Sequence, residues 1–404
     1  MKSELLHLVA FLVICLISLW RANLPDFFEK DIFIRAEVIG DVVCEEKRCL
    51  TRIRILESEI EDLEGRKALL QVYGYFPKEA QRVSLLGDIR VKNNRVSVYV
   101  SRDDIEIEIS STGLRQLLLE KYRENSKGHS TALGTSFLFG EARDLLPSSL
   151  QRSFLETGLI HLLVVSGLHV GTLALIIVKL LPAFWGLRFS LIGVLVYSAL
   201  IVPQEPPVLR ASLMFILMIL AHLSFSRPNT FSILLFSGSL ILLLFPWYVF
   251  SYSFWLSFIA TAYIVLMIRD LKTSNTVKGL SASAAAFSGV APLISTFSYI
   301  SPLSVLFTPL LAPLIFFYSL MGFLSLLTFM SFSPFIDLFD FVGELFIKSV
   351  EFAENLSFQL YPLISMHEAV FLSVFGLVTL YFLKGYFKFI PLSLINLWLI
   401  VKAL

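Results

Sequence analysis

Two kinds of hydrophobic pattern divide the chain. Between Asp31 and Ser111, apolar and polar residues alternate with period two in IFIRAEVIG, CLTRIRILE, ALLQVYGYF, DIRVKNNRVSVYV and DIEIEIS. Successive side chains of a strand point to opposite faces, so each run reads as a strand with one buried face. Turn formers such as Lys92-Asn93-Asn94 separate some of the runs. Five or so short strands in so brief a stretch predict a small Greek-key barrel, with the OB type as the leading candidate. From residue 131 onward the chain is almost continuously apolar. Membrane spans are predicted near 158–181, 187–202, 209–225, 231–249, 251–268, 280–299, 302–330, 362–383 and 389–403.

Leu5 to Trp20 is a further apolar run, flanked by Lys2 and Arg21. No small-x-small site follows it, so it is expected to stay as an uncleaved anchor. Pro302, Pro309 and Pro313 interrupt 302–330, which is expected to be broken or re-entrant. Gly113 to Gly128 is polar and reads as a helical connector. The expected organisation is an anchor at 1–24, an OB-like β domain at 25–112, a connector at 113–130 and a transmembrane domain at 131–404. The expected fold class is thus a polytopic α-helical membrane protein with an N-terminal all-β extracytoplasmic domain. Two stretches are amphipathic. In Ala142 to Glu156, Arg143, Asp144, Ser148, Gln151 and Arg152 alternate with Leu145, Leu146, Leu150, Phe154 and Leu155. In Phe335 to Asn355, Asp337, Asp340, Glu344, Lys348 and Glu351 recur every three or four residues. Each stripe fits a helix lying among headgroups or one facing an aqueous path.

Composition agrees with lipid as the solvent. The chain is 56% hydrophobic and 16% charged, against about 25% charged in soluble domains. The net charge of +1 gives no global field for gathering a polyanion. Residues 27–124 hold 17 of the 33 Lys+Arg and 19 of the 32 Asp+Glu. That segment belongs in water, because a charge at the bilayer centre costs at least ~2.5 kcal/mol. A very short N-terminus points to N-inside orientation, with the β domain outside. Arg269, Lys272 and Lys278, and then Lys384 and Lys388, form positive loops expected in the cytoplasm. Cys44 and Cys49 bracket a short polar loop and can form a disulfide in an oxidising compartment; free thiols are the alternative. Cys15, inside the anchor, reads as a buried thiol.

The most informative segment is Gly158-Leu-Ile-His161-Leu-Leu-Val-Val-Ser166-Gly167-Leu-His169-Val-Gly171. Glycine costs about 1 kcal/mol inside a helix, so Ser166-Gly167 marks a local break or a close helix contact. On one helix Ser166 and His169 would be neighbours, as a nucleophile and base require. No orienting Asp accompanies them, and that reading is disfavoured. His161 and His169, eight apart, lie roughly 12 Å apart along a helix and cannot share a metal. No HExxH motif and no P-loop occurs. No metal or cofactor is therefore expected, and any driving energy comes from elsewhere. The remaining reading is that these polar residues glue helices or line a path. Arg210 offers charge-assisted hydrogen bonds to phosphate, unless it pairs with Glu205. Arg52, Arg54, Arg90, Lys92 and Arg95 are expected on exposed strand faces. There they form either a local basic patch or an ordinary solvated surface.

HLLVVSGLHVG resembles the signature of the ComEC-type competence family, membrane channels for transforming DNA. Pro207-Val208-Leu209-Arg210-Ala211 is similar to that family's P-x-x-R-A, and Trp255-Leu256-Ser257-Phe258-Ile259-Ala260 to its L-S-F-x-A. Ser301 to Pro313 is similar to its later proline-rich segment, with Thr308 where Asn is usual. The β domain after the first span also agrees, so the resemblance covers essentially the whole chain. It implies a channel that carries single-stranded DNA across the inner membrane during natural transformation. His161, Ser166, Gly167, His169, Gly171, Arg210 and Ser257 are its signature residues. DNA contacts are expected from the five barrel cations, Arg152 and Lys179, with Glu156 nearby. The implied partners are single-stranded DNA, an outside DNA receptor, a cytoplasmic helicase-like motor or strand-binding proteins, and the bilayer. Many members carry a C-terminal metallo-β-lactamase-like domain. Its His/Asp cluster is missing here, so no nuclease activity is expected and the chain is read as a non-enzyme. A small-solute transporter and an intramembrane serine hydrolase are the alternatives.

Overall fold

The computed structural model describes residues 2–39, 43–45, 48–74, 76, 82–92, 94–108, 114–126, 130–140, 146–224 and 229–404. Asn93 of the expected turn, and Arg143, Asp144 and Leu145 of the first amphipathic stretch, lie outside the described residues, as do both ends of the connector up to residue 129.

Helix α1 (Lys2–Ala22) leads into strands β1 (Phe27–Val38), β2 (Val43–Glu45), β3 (Arg48–Ser58), β4 (Lys67–Tyr73), β5 (Arg82–Lys92), β6 (Arg95–Ser101) and β7 (Ile105–Glu108). The order β1-β3-β4-β6-β5 closes on itself because β5 also pairs with β1. The result is a five-stranded barrel with one parallel pair, β4–β6, and four antiparallel ones. This is the closed Greek-key arrangement of an OB-type barrel, and closure leaves no long edge exposed. The inward rows are Ile34 and Ala36, Ile53 and Ile55, Leu70 and Val72, Val83 and Ile89, and Val98, all fully buried. β2 is a short ribbon on β3, and there Cys44 and Cys49 face each other and form the expected disulfide, Cα–Cα 4.0 Å.

Beyond the barrel the chain is helical: α2 (Leu114–Asn125), α3 (Ser130–Phe139), α4 (Ser148–Glu156), α5 (Gly167–Leu180), α6 (Ala183–Val196), α7 (Pro206–Leu223), α8 (Thr230–Leu244), α9 (Tyr252–Ile268), α10 (Asn275–Ile294), α11 (Ser304–Leu327), α12 (Ser333–Leu356), α13 (Met366–Phe382) and α14 (Phe389–Ala403). Five helical stretches among the described residues are long and apolar enough to cross a membrane: Glu4–Ala22, Pro206–Leu223, Asn275–Ile294, Ser304–Leu327 and Gly385–Ala403. Five shorter apolar helices accompany them. The chain is a polytopic helical membrane protein with an N-terminal barrel.

Several span expectations need correction. Residues 158–181 are not one helix: a 3₁₀ turn at Ile160–Leu163 precedes an extended Ser166, and α5 begins only at Gly167. Helix 231–249 stops at Leu244, and Pro246–Phe250 is a separate 3₁₀ turn. The stretch 302–330 is not broken, because α11 runs continuously through Pro309 and Pro313. Four residues apart, those prolines fall on one side of the helix, so the ladder loses its bonds along a single stripe. Helix α3 was not anticipated at all. Its ten residues, STALGTSFLF, are too few to span, and eight of them are buried.

Two polar nodes hold the assembly together at opposite ends of α1. At one end, Glu4 is 3% exposed. Its carboxylate accepts from Tyr381 Oη at 2.9 Å, pairs with Arg269 Nη1 at 3.1 Å and takes a bond from Asn229, which itself caps α8. This node joins α1, α8, α9 and α13. Beside it, buried Lys388 bonds the Leu266 carbonyl and Asp270 Oδ2, the latter at 3.0 Å. At the other end, buried Arg66 of the barrel donates to the carbonyls of Ala22 and Asp62 at 2.8 and 2.7 Å and to Asn94 Oδ1 at 3.1 Å. Burial pulls the Arg66 guanidinium below its usual value, and Asp62 pushes the other way.

Helix α12 buries Ile336, Phe339, Val342, Phe346, Ile347 and Val350 as one stripe. Two residues of its polar row face protein rather than headgroups or an open path. Asp340 accepts from Tyr122 Oη at 2.9 Å and from Ser126 Oγ at 2.8 Å, and Glu344 accepts from the Ser130 backbone N–H at 3.2 Å. The α2–α3 hairpin is therefore fastened to α12.

Candidate functional site

The strand register decides where the five basic residues chosen from the sequence sit. All five occupy outward positions on the contiguous ribbon β3–β4–β6–β5. Arg52 faces Leu69, Leu69 faces Ser97, and Ser97 faces Arg90, which makes one rung. The next rung starts with Arg54 opposite Lys67. Lys67 precedes Ala68, which pairs with Val96, so it lies beside Arg95, and Arg95 faces Lys92. Lys67 was missed in the sequence, although the alternation phase of β4 turns it outward with the others. Arg90, Lys92 and Arg95, with Ser97 and Tyr99, line an open groove of about 510 Å³. An aromatic ring among three cations suits a nucleic-acid backbone and its bases.

The second rung is also where the barrel meets the helices. Glu205, at the head of α7, bonds Lys67 Nζ at 2.7 Å and lies 3.5 Å from Arg54 Nη2. Arg54 also lies 3.9 Å from Glu37, so this cation is already engaged. Trp247 packs over Gly65, whose φ of +75° and lack of Cβ allow the ring's close approach. Tyr248 Oη donates to the Gln204 carbonyl at 2.7 Å. Basic rung, acidic bridge and the first turn of α7 are thus contiguous.

The signature segment folds as a capped helix start. Ser166 is extended (φ −137°, ψ −173°); its Oγ accepts from Leu168 N–H at 3.4 Å, and its own N–H donates to His169 Nδ1 at 3.1 Å. This is a reciprocal capping box with histidine as the third helical residue. Ser166 is therefore the cap of α5 rather than a residue within it, and His169 Nδ1 holds its backbone N–H, with no hydrogen bond between the imidazole and the serine hydroxyl. The break expected at Ser166-Gly167 is present. His161 sits on the preceding 3₁₀ turn, exposed, with Nδ1 2.9 Å from the Gly158 carbonyl. Gly158 has φ +71°, a left-handed value that glycine permits. Gly167 and Gly171 lie on the exposed side of α5, so close helix packing is not what they serve here.

His169 is 1% exposed, 4.2 Å from the Phe137 ring, and that ring stands 4.6 Å from Tyr318. With Nδ1 accepting, Nε2 carries the proton of the neutral ring. Ser136 Oγ, Thr172 Oγ1 and Tyr318 Oη are buried without a hydrogen-bond partner among the described residues, while the imidazole meets the Phe137 backbone. The Ser136 and Thr172 hydroxyls, beside the Phe137–His169 contact between α3 and α5, form a dry polar seam, and Tyr318 Oη turns instead to Gly343 of α12. Each costs about 1–3 kcal/mol while unmet.

Arg210 does not pair with Glu205. Its Nη1 bonds the Ser257 carbonyl and Thr261 Oγ1 on α9, bringing together the two motif segments that the sequence keeps 47 residues apart. Thr261 was not foreseen; it lies one turn after Ser257, and its Oγ1 also donates to the Ser257 carbonyl at 2.9 Å. The remaining cations stand apart. Arg152 is exposed and paired with Glu156 at 2.5 Å, and Lys179 is exposed in the last turn of α5. No group of three or more His, Cys, Asp or Glu among the described residues is placed to hold a metal ion.

Barrel, bridge and bundle define a class: a multi-pass helical membrane protein with a β-barrel whose basic outer strip meets the head of its helices. Residues 137–387 match the model of the family described as "Competence protein". An uncharacterized protein of Aquifex aeolicus (strain VF5) is 45% identical over 400 residues, covering 98% of this chain and 97% of that relative. The chain belongs to the competence protein family, and membership supports a role in DNA uptake. No solved structure matches it.

Proposed function

We propose that the protein is an inner-membrane channel that passes single-stranded DNA into the cytoplasm during natural transformation. The observation that carries this reading is a basic strip on the barrel whose second rung reaches the junction with the helices. A strand gathered by Arg90, Lys92, Arg95 and Tyr99 would be delivered to the head of α7, with the barrel outside the cytoplasm. Phosphates cannot cross hydrocarbon, so the route must be polar and enclosed. The dry seam around His169 supports a closed resting state, because its unmet donors gain partners when water or a strand enters. An outside receptor supplies the DNA, and a cytoplasmic motor or strand-binding proteins draw it in.

Fluorescent DNA tracked in a strain deleted for the gene tests the assignment. DNA should still bind and accumulate outside the cytoplasm but never enter it. Cytoplasmic entry at the wild-type level would overturn the channel role.

A further inference from the structure

We propose that Arg210 and Ser257 form a subsite for one phosphodiester just inside the helical domain, an inference that rests on the channel reading for its biological use. Arg210 lies five residues beyond Glu205, hence about 7.5 Å along α7 from the barrel junction. Its side chain is mostly buried, and Nη1 is held by two neutral acceptors, the Ser257 carbonyl and Thr261 Oγ1. No carboxylate among the described residues comes within ion-pair distance of it, since Glu205 is taken by Lys67 and Arg54. A guanidinium withdrawn from water with only neutral partners lacks a counter-charge. Two more groups there are buried and unmet among the described residues: Arg210 Nε and Ser257 Oγ. Both can donate, and they belong to residues already in contact. Two donors and a positive charge without an acceptor fit a singly charged tetrahedral anion with two free oxygens, as in a phosphodiester. The planar fork is already fixed by Ser257 and Thr261, so little side-chain entropy remains to be lost on binding.

A DNA backbone and a lipid headgroup present the same chemistry, so the test has two arms. The full chain is purified in phosphate-free maltoside micelles, with Arg90→Gln, Lys92→Gln and Arg95→Gln together removing the barrel groove. In the first arm a short abasic oligodeoxyribose phosphate is titrated. Adding Arg210→Gln should weaken binding about tenfold, the worth of one charge-assisted hydrogen bond. Ser257→Ala should weaken it severalfold, and Arg210→Lys should keep part of it. In the second arm phosphatidylglycerol is added and retained lipid is read by native mass spectrometry. Loss of lipid on Arg210→Gln with unchanged oligomer binding would assign a headgroup and overturn the DNA assignment. Unchanged binding of both probes by folded Arg210→Gln protein would overturn the site. If Arg210→Gln does not fold, Ser257→Ala decides alone: unchanged binding of both probes sinks the proposal. The deletion-strain experiment is independent, so a site that binds in a strain with normal DNA entry would refute the channel and leave the subsite standing.

Discussion

Replacing Thr172 with valine tests whether the seam beside His169 is dry at rest. Thr172 is 2% exposed, and its Oγ1 has no partner among the described residues. Valine has almost the same shape, so Thr172→Val removes the unmet hydroxyl without opening a cavity. A buried hydroxyl lacking a bond costs about 1–3 kcal/mol, and burying the added methyl contributes about 0.8 kcal/mol. The variant should therefore be more stable by at least ~1 kcal/mol. For a chain of this size that raises Tm in micelles by about 1 °C or more. DNA uptake should fall, because the hydroxyl that would meet water or a strand in the open state is gone. Loss of stability by a similar amount would mean the hydroxyl already has a partner at rest, and the dry seam would be refuted. A stabilised variant with undiminished uptake would place the seam off the route.

Glu4→Ala removes the acceptor shared by Tyr381, Arg269 and Asn229. It should speed hydrogen exchange of the α1 amides roughly a hundredfold, about 3 kcal/mol with Arg269 partly rehydrated, and unchanged exchange would show that the node does not hold the anchor. Asp340→Ala strands Tyr122 Oη and Ser126 Oγ; about 2–3 kcal/mol of stability should be lost, read as a lower Tm, with Asp340→Asn intermediate. Ser166→Ala removes only a cap worth about 1 kcal/mol, so uptake should persist once folding is corrected for; abolished uptake in a folded variant would revive the hydrolase reading. Reducing Cys44–Cys49 should cost about 2 kcal/mol of local β2–β3 stability, measured as faster exchange of that ribbon alone.

The barrel was legible because a strand's two faces meet different solvents, and period two writes that difference into the sequence. The same phase placed Arg52, Arg54, Arg90, Lys92 and Arg95 outward, but only pairing register could show that they share two rungs. Helix α5 was misjudged because Ile160 to Val165 is as apolar as the helix beyond it, so hydropathy cannot mark the break. The signal lay in Ser166-x-x-His169, a capping spacing in which His stands where Glu or Gln is usual. Helix α3 is buried on all sides by protein and has no amphipathic period to display. Glu4 stands at the edge of the apolar anchor run, and its partners at 229, 269 and 381 are distant in sequence. For Arg210 the sequence left two readings, a phosphate contact or a pair with Glu205, five residues away. The barrel claims that acid, which leaves the arginine to α9.

The central claim is that a DNA strand threads this chain, and trapping one in passage tests it most directly. Transforming DNA carrying photoreactive thymidine analogues and a bulky protein block at its trailing end would stall in transit in living cells. Irradiation should then attach DNA to this protein, with adducts mapping to the barrel groove and to α7 and α9 around Arg210. Adducts confined to another membrane protein, in cells that transform normally, would contradict it.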